Sequence, residues 1–461
     1  MRVVYKMEFL ENYLPLIMAL ALGLLLFSGY PVALVLSGVG IGFAAIGISL
    51  DLMSSIELLN ITTRIYGMVG ENLIYPAVPM LIFMGILLER SQLASELLEC
   101  LHVLLRRAPA NLAIATSIIG LILAPAAGLV GASVATIGLF ALPTMLRHGY
   151  RPSFAAGAVA SAGTLGIIFP PAIMLFFLAD LLGIRISVMF TAPVMPVVLI
   201  LGLMIAYFVL RAVVTPSIAP RAKASPHLSY GQLTTYVLRS FALPTLLIVM
   251  ILGSIIAGIA TPTQSGAVGA VGAVLLTILN GSISLSMLAG ALRQTVKVTG
   301  MVFFVVIGAS VFSYTFRSLG GDSLILELMQ TAGLNSWGML TLVLAVIFAL
   351  GFIIDWIEIA LITLPIFFPI LAGLDFGDTF ETREQMMVWI AVLIAINLQT
   401  SFLTPPFGFA LFFLKGVAPP EISLSDIYKG VAPVVLLQMV ALLTVMLFPV
   451  IALWLPSQIL E

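Results

Sequence analysis

The sequence predicts an all-α polytopic membrane protein with two inverted repeats, each containing a re-entrant hairpin and a broken helix. Three observations predict this fold class. Of the 461 residues, 61% are hydrophobic and only 8% are charged, whereas about a quarter of the residues of a soluble protein are charged. The apolar residues form long stretches, and one order of motifs occurs in both halves of the chain. The scarcity of charge excludes a soluble fold.

Apolar stretches recur along the whole chain and suffice for about ten membrane spans of about 20 residues each. They lie near 13–29, 32–50, 73–89, 111–124, 132–146, 152–183, 186–210, 241–259, 264–280, 299–316, 336–353, 357–371, 387–414 and 431–455. Some of them are too short to cross a hydrocarbon core of about 30 Å. The pair 111–124 and 132–146, and the stretch 357–371, are therefore predicted to be re-entrant arms that line a protein cavity.

Three other segments, 51–70, 92–107 and 284–297, mix apolar and polar residues at helical spacing. This pattern is typical of helices that lie on the membrane interface or brace the bundle, and ordinary connecting helices have it too. The longest polar stretch, 211–239, contains three prolines and four basic residues without an acidic one. It is predicted to be a cytoplasmic linker between the two halves.

The two halves contain the same order of motifs. In each half a short apolar arm is followed by a polar gap, an apolar run and a Pro-Pro pair, which is Pro170-Pro171 in the first half and Pro405-Pro406 in the second. The first repeat is predicted to span 1–210, with a hairpin over about 111–146 and a broken helix over about 152–183. The second is predicted to span 240–461, with a hairpin over about 336–371 and a broken helix over about 387–414.

The charges that flank the hairpins predict that the repeats are inverted. Basic residues near span ends favour the cytoplasm. The first hairpin is bracketed by Arg106, Arg107, Arg147 and Arg151, whereas the second is bracketed mainly by Asp322, Glu327, Asp375, Asp378, Glu381 and Glu384. The first hairpin is therefore expected to open inward and the second outward.

The Pro-Pro pairs indicate ion or substrate binding near the membrane midplane. Proline lacks a backbone donor, so a helix interrupted by Pro-Pro has free carbonyl oxygens, which suit sodium. The exposed N-terminus of a half-helix attracts an anionic group. The alternative is a pair of kinks in scaffold helices.

Three polar side chains in apolar surroundings are candidates for the site. The Ser133 hydroxyl could ligate sodium, or it could bond its own helix backbone. Asp355 and Glu358 are spaced i and i+3, as on one helical face, and carboxylates in a membrane are costly and usually functional. Asp355 could balance the charge of sodium or anchor the hairpin tip. Glu358 could bind protons or be structural.

Other classes of protein have little support. The segment from Gly131 to Ala135 is one residue short of a nucleophile elbow, and no histidine lies in a span to activate Ser133. The chain contains no GxxxxGK[ST] phosphate loop. With Cys100 as its single cysteine, the chain cannot form a cysteine zinc site, and its three histidines are too scattered for a metal triad. The net charge of −1 gives no reason to expect a nucleic-acid partner.

In its motifs the sequence resembles the large membrane subunit of tripartite ATP-independent periplasmic (TRAP) transporters, over nearly the whole chain. The motifs are Pro79 to Gly85, Gly131 to Thr136, Gly163 to Gly166 with Pro170-Pro171, Gly258 to Thr263, Phe352 to Asp355, and Asn397 with Thr404-Pro405-Pro406. The resemblance implies an elevator-type ion transporter fold coupled to sodium entry. It also implies a small TRAP membrane subunit and a periplasmic substrate-binding protein that delivers an organic anion, usually a carboxylate.

The resemblance also implies the site residues. One sodium site would be formed by Gly131, Ser133, Gly163, Gly166 and Pro170, and the other by Asp355, Asn397, Thr404 and Pro405. The substrate is expected to contact Ser133, Thr164, Glu358, Gln399 and Thr404. The chain departs from the family at Val130 and Ala132, where serine is common, and at Trp356, where proline is common. This variation looks like the subgroup that handles keto acids, or mannitol and chloroaromatic compounds.

Together these features predict a multi-pass protein of the bacterial inner membrane that imports an organic anion, expected to be a carboxylate or keto acid, with sodium as the coupling ion. Two alternatives remain. One is a stand-alone sodium- or proton-coupled anion transporter, and the other is a membrane hydrolase that uses Ser133.

Overall fold

The computed structural model describes residues 2–72, 74–91, 93–127, 130–220 and 237–460. Within these residues the chain is helical and contains no strand. The helices of the first half are α1 (Arg2–Leu26), α2 (Val32–Ser49), α3 (Leu58–Ile65), α4 (Ala77–Arg90), α5 (Leu93–Leu104), α6 (Asn111–Ala127), α7 (Val130–Arg147), α8 (Pro152–Leu165), α9 (Ile173–Leu182), α10 (Ile186–Thr191) and α11 (Val194–Val214).

The second half continues with helices of similar length. They are α12 (Leu243–Ile256), α13 (Pro262–Leu279), α14 (Leu285–Ser318), α15 (Gly321–Ala332), α16 (Ser336–Leu350), α17 (Trp356–Ala372), α18 (Arg383–Ser401), α19 (Phe409–Val417), α20 (Leu424–Leu447) and α21 (Val450–Leu460). Short 3₁₀ or π turns occur at Ser55–Glu57, Tyr66–Glu71, Gly166–Ile168, Leu238–Ala242 and Gly377–Thr379.

By length and composition, 6 of the helical spans in the described residues are apolar enough to cross a membrane, or 7 when a bent pair is counted as one span. They are α2, α7, α10 with α11, α13, α14 and α20, and the bent pair is α8 with α9. The predicted all-α polytopic fold class is confirmed.

The chain forms two compact units, and each draws on both halves of the sequence. The first unit comprises Met1–Tyr75, Lys297–Val346 and Trp356–Arg383, and the second comprises Pro76–Val296, Ile347–Asp355 and Glu384–Glu461. The predicted repeats divide the chain in sequence order, whereas these units do not, so the repeat boundaries stay a prediction. Most of the predicted linker, residues 221–236, lies outside the described residues.

Helices α6 and α7 are the legs of the first predicted hairpin, and a polar contact closes its base. The Tyr150 hydroxyl, just after α7, donates to Asn111 Oδ1 at the start of α6 over 3.1 Å. The second hairpin has legs α16 and α17. At its base, the Asp375 backbone N–H donates to Ser336 Oγ over 3.1 Å, and the rings of Trp337 and Phe376 are 4.9 Å apart.

Both predicted helix breaks are present. Helix α8 ends at Leu165, a 3₁₀ turn follows over Gly166–Ile168, and α9 starts at Ile173, with a bend of 43° between the two arms. Helix α18 ends at Ser401, and α19 starts only at Phe409. In each case the interruption coincides with the Pro-Pro pair because proline cannot donate a backbone hydrogen bond to the preceding turn.

One segment differs from the sequence-based expectation. The amphipathic stretch 284–297 and the apolar stretch 299–316 form a single helix, α14, of 34 residues. The chain has no proline between them that would end the helix. Gly300, at the junction, is tolerated in the helix because isolated glycine costs only about 1 kcal/mol there.

Candidate functional site

The first break lies at the end of a fully buried helix arm. Every residue from Ala155 to Leu165 is buried, and so are Gly166 and Pro170. The Thr164 hydroxyl donates to the carbonyl of Ser161 over 3.1 Å. Because this bond uses the hydroxyl proton, the Thr164 oxygen can offer only lone pairs to a ligand. The local chemistry therefore favours a cation at this point.

The first turns of α7, in the first hairpin, pack against the last turn of α8, just before this break. A β-carbon added to Gly163 would lie 2.5 Å from Cγ2 of Val134, which is too close for any other residue at position 163. Val134 is the neighbour of Ser133, which is 3% exposed. The structure therefore places the segment that contains Ser133 beside the end of α8, just before the break. Gly131 is buried two residues before Ser133, and it packs against the ring of Phe413 in α19.

The second break follows an equally buried helix. Asn397 is 3% exposed and Gln399 is 0% exposed. The Thr404 hydroxyl donates to the Thr400 carbonyl over 2.9 Å, so its oxygen too can offer only lone pairs. Within the described part of the chain, neither Nε2 nor Oε1 of Gln399 has a hydrogen-bond partner. Thr404 and Pro405 are partly buried.

The tip of the second hairpin reaches this break. A β-carbon added to Gly351 would overlap Oγ of Ser401, the last residue of α18. Asp355 follows four residues later and is 7% exposed. It precedes α17, whose first turn contains the partly buried Glu358. The expectation that the two carboxylates lie on one helical face is wrong, because Asp355 is outside the helix, at the position of a helix cap.

The two broken helices run in opposite directions. Arg185, just after α9, forms an ion pair with Glu384 at the start of α18, with 2.9 Å between Nε and Oε1. The end of one broken helix thus meets the beginning of the other, as inverted repeats require. Both side chains are well exposed, so the pair itself contributes little stability.

Helix α20 packs against both broken helices, although the sequence analysis did not assign it to the site. Gly430 in α20 approaches the backbone of α8 so closely that a β-carbon would overlap the Ser153 carbonyl oxygen. The Tyr428 hydroxyl donates to the Pro406 carbonyl in the second break over 2.6 Å. Trp389 Nε1 in α18 donates to the Val445 carbonyl in α20 over 2.9 Å. In the sequence, the feature of α20 that could have indicated this packing is Gly430, because small residues permit close contact between helices.

A polar cluster fixes the base of the first hairpin. The amide of Asn111 lies 3.1 Å from Nδ1 of His102, and the His102 and His148 rings are 4.9 Å apart. Burial raises the pKa of Tyr150 to about 12, so its hydroxyl stays protonated and can donate to Asn111. The cluster joins the end of α5 to both legs of the hairpin.

The His102 imidazole gives the hairpin base a pH-dependent stability. Burial lowers its pKa below the ordinary 6.5, His148 lowers it further, and Glu99 acts in the opposite direction. The folded state therefore binds fewer protons than the unfolded state, and stability is lost as the pH falls through about 6.5 towards the folded pKa. We expect His102→Gln to reduce the drop in melting temperature between about pH 7.5 and about pH 5.5, measured in detergent. Identical pH profiles for the two proteins would contradict this assignment.

The site offers oxygen donors. In the described part of the chain, no group of three or more His, Cys, Asp or Glu side chains is placed to hold a metal ion. The polar groups along the two breaks and the contacting hairpin segments are hydroxyl, amide and carbonyl groups, and the second hairpin adds the carboxylate of Asp355. Interrupted helices of this composition hold alkali cations and anionic substrates in secondary transporters. Fold and site therefore define a membrane transporter of the broken-helix class.

The chain belongs to the family of the DctM component of tripartite ATP-independent periplasmic transporters, whose family model matches residues 18–451. A C4-dicarboxylate TRAP transporter large permease protein of Pseudomonas aeruginosa is 28% identical over 84% of this chain and 87% of its own. An ectoine TRAP transporter large permease protein of Halomonas elongata is 27% identical over 82% of this chain and 85% of its own.

The fold has a counterpart among solved structures. The YdaH transporter of Alcanivorax borkumensis superimposes with a TM-score of 0.58 and 13% identity, covering 95% of this chain and 99% of that chain. This likeness concerns the fold alone. With the family, it makes the chain a TRAP large permease, a multi-pass protein of the bacterial inner membrane. Family membership implies a small membrane subunit and a periplasmic binding protein as partners.

Proposed function

We propose that the chain is the permease subunit of a sodium-coupled, binding-protein-dependent secondary transporter that imports an organic anion. The observation that carries this proposal is that each hairpin contacts the end of the helix arm that precedes a break, Val134 against Gly163 and Gly351 against Ser401. Each contact joins two segments that contain oxygen donors, and two such pockets can bind ions and substrate cooperatively.

Sodium is the proposed coupling ion because the donors are hard oxygen atoms. The first proposed sodium site comprises Gly131, Ser133, Gly163, Gly166 and Pro170, and the second comprises Asp355, Asn397, Thr404 and Pro405. Thr164 and Thr404 donate their protons to their own helices, which supports a cation as their ligand. Asp355 would balance the cation's charge beside the second break.

The proposed substrate is a carboxylate or keto acid that lies beside Ser133, Thr164, Glu358, Gln399 and Thr404. Its carboxylate can accept from the Gln399 amide, whereas Thr164 and Thr404 could donate to it only by giving up their bonds to the helix backbone. Helices α9 and α19 begin at the two breaks, and helix N-termini favour anions. The relatives named for C4-dicarboxylates and for ectoine support a small organic solute. Transport would proceed by an elevator movement that carries both breaks together.

The test uses proteoliposomes containing this chain and its small membrane subunit, a sodium gradient, and the purified periplasmic binding protein. We expect ²²Na⁺ and radiolabelled succinate or a 2-keto acid to enter together only when the binding protein is present. Substrate uptake that is equally fast in potassium alone would overturn sodium coupling. Uptake without any soluble protein would instead favour the stand-alone transporter.

A further inference from the structure

Helix α20 is an unbroken helix of 24 residues, yet it carries a polar side chain that nothing in the fold requires. Its buried face includes Val434, Gln438, Ala441 and Val445, which recur at helical spacing, and Gln438 is the polar member. Gln438 is 0% exposed. Within the described residues, neither its Oε1 nor its Nε2 has a hydrogen-bond partner.

A buried carboxamide without hydrogen-bond partners lowers the stability of the folded protein. Removing the Gln438 carboxamide from water costs free energy, and a buried amide offsets that cost only when it forms hydrogen bonds or binds a ligand. An apolar residue of similar size would fill the same space without this cost. A glutamine with both polar atoms unpaired in a membrane helix therefore points to a ligand.

The packing of α20 on α8 gives the depth of Gln438 relative to the first break. Gly430 lies against the backbone between Ser153 and Gly157, and Asp426, in the first turn of α20, is within electrostatic range of Arg151, which precedes α8. The two helices therefore run in the same direction. From Gly430, about two turns lead to Gln438. The same advance along α8 leads from Ser153 and Gly157 to about residues 161–165, which include Gly163 and Thr164.

The packing of α20 on α18 gives an independent estimate of that depth. The Trp389 side chain, near the start of α18, bonds to the Val445 carbonyl near the end of α20, and Pro406, just after α18, accepts from Tyr428 near the start of α20. The two helices therefore run in opposite directions. About two turns back from Val445 lies Gln438, and about two turns on from Trp389 lies Ile396, next to Asn397. Within about one turn, Gln438 is therefore level with the proposed sodium residues of both halves.

We propose that Gln438 supplies a sodium ligand from a third helix, with its Oε1 completing the set of oxygen donors between the two breaks. This inference rests on the proposed sodium coupling. A sodium ion suits the position better than the organic substrate, because the side chain is sealed from the surface and a small cation needs little space. An amide oxygen is also a hard donor of the kind that sodium prefers.

The experiment compares Gln438→Leu and Gln438→Glu with the wild-type protein in the reconstituted complex. The measured quantities are the half-saturating sodium concentration for uptake and the shift in melting temperature on adding sodium. For Gln438→Leu we expect an increase of about fivefold or more in that concentration, the equivalent of losing one hydrogen-bond-sized interaction. We expect the sodium-induced shift in melting temperature to shrink in parallel.

Two further readouts separate sodium binding from other roles. Gln438→Glu keeps the oxygen and adds negative charge, so its half-saturating sodium concentration should stay the same or fall. If Gln438 instead contacts the substrate anion, this variant should lose that contact and bind the substrate more weakly. Without sodium, Gln438→Leu should be at least as stable as the wild type, because it removes an unpaired polar group; a structural role predicts lower stability. Gln294→Leu, at an exposed position of α14, is the matched control and should change neither quantity.

The outcomes keep the two proposals distinguishable. Wild-type protein without sodium dependence would overturn the proposed coupling and this inference together. If the wild type depends on sodium and Gln438→Leu has the same half-saturating sodium concentration, only the role of Gln438 would be overturned.

Discussion

Replacing Asp355 with alanine is expected to reduce sodium-driven uptake by about tenfold or more, which corresponds to a loss of about 1.4 kcal/mol or more of binding free energy. Asp355 is 7% exposed at the tip of the second hairpin, four residues after the glycine that packs on Ser401. Its removal takes a negative charge from the neighbourhood of the second break. Ser133→Ala should weaken uptake in the same way from the first hairpin.

The measurement is the sodium dependence of uptake in proteoliposomes, with the amount of inserted protein determined in parallel. Asp180→Ala and Ser187→Ala are matched controls, because they remove a carboxylate and a hydroxyl near the ends of α9 and α10, outside the proposed sodium sites. Normal sodium dependence in both Asp355→Ala and Ser133→Ala would refute the assignment of the two sites.

Substituting valine for Gly430 is expected to lower the free energy of unfolding by about 3 kcal/mol or more. A β-carbon at this position would overlap the Ser153 carbonyl oxygen, which is backbone and cannot rotate away. The reciprocal contact is equally close, since a β-carbon on Gly157 would overlap the Gly430 carbonyl oxygen. The helices α8 and α20 would have to separate, and that movement would also displace Tyr428 from Pro406.

The fall in stability is measured as a fall in melting temperature of the purified protein in detergent. Gly202→Ala is the matched control, because a β-carbon there meets nothing within 4 Å and alanine favours a helix. A Gly430→Val protein with the melting temperature of the control would show that α8 and α20 do not pack through this glycine.

Several features of the site followed from the sequence because they depend on local chemistry. Pro170-Pro171 and Pro405-Pro406 predicted where two helices break, since two consecutive prolines remove two backbone donors, whereas single prolines are tolerated inside α7, α17 and α20. The short apolar stretches predicted hairpin arms, and charge was scarce enough to place the whole chain in a bilayer. The pairing of Ser133 with the first break was expected only from the resemblance to TRAP large permeases.

Other features could not be predicted because they depend on contacts between distant segments. The approach of Gly430 to Ser153 joins residues far apart in sequence, and glycine in a membrane helix has many possible neighbours. Asp355 and Glu358 had the spacing of one helical face, but the helix starts between them. The continuous α14 was also missed, because a change from amphipathic to apolar pattern looks like a boundary while the backbone has no reason to stop.

By itself the sequence determined the class of protein and the positions of the breaks, because hydropathy and proline act over a few residues; the oxygen donors that it suggests remain a prediction. Only the tertiary structure decided which helices surround those donors. It buried Gln438 of α20 without a hydrogen-bond partner among the described residues and packed α20 on α8 through Gly430, because helix packing depends on contacts that a one-dimensional pattern does not contain.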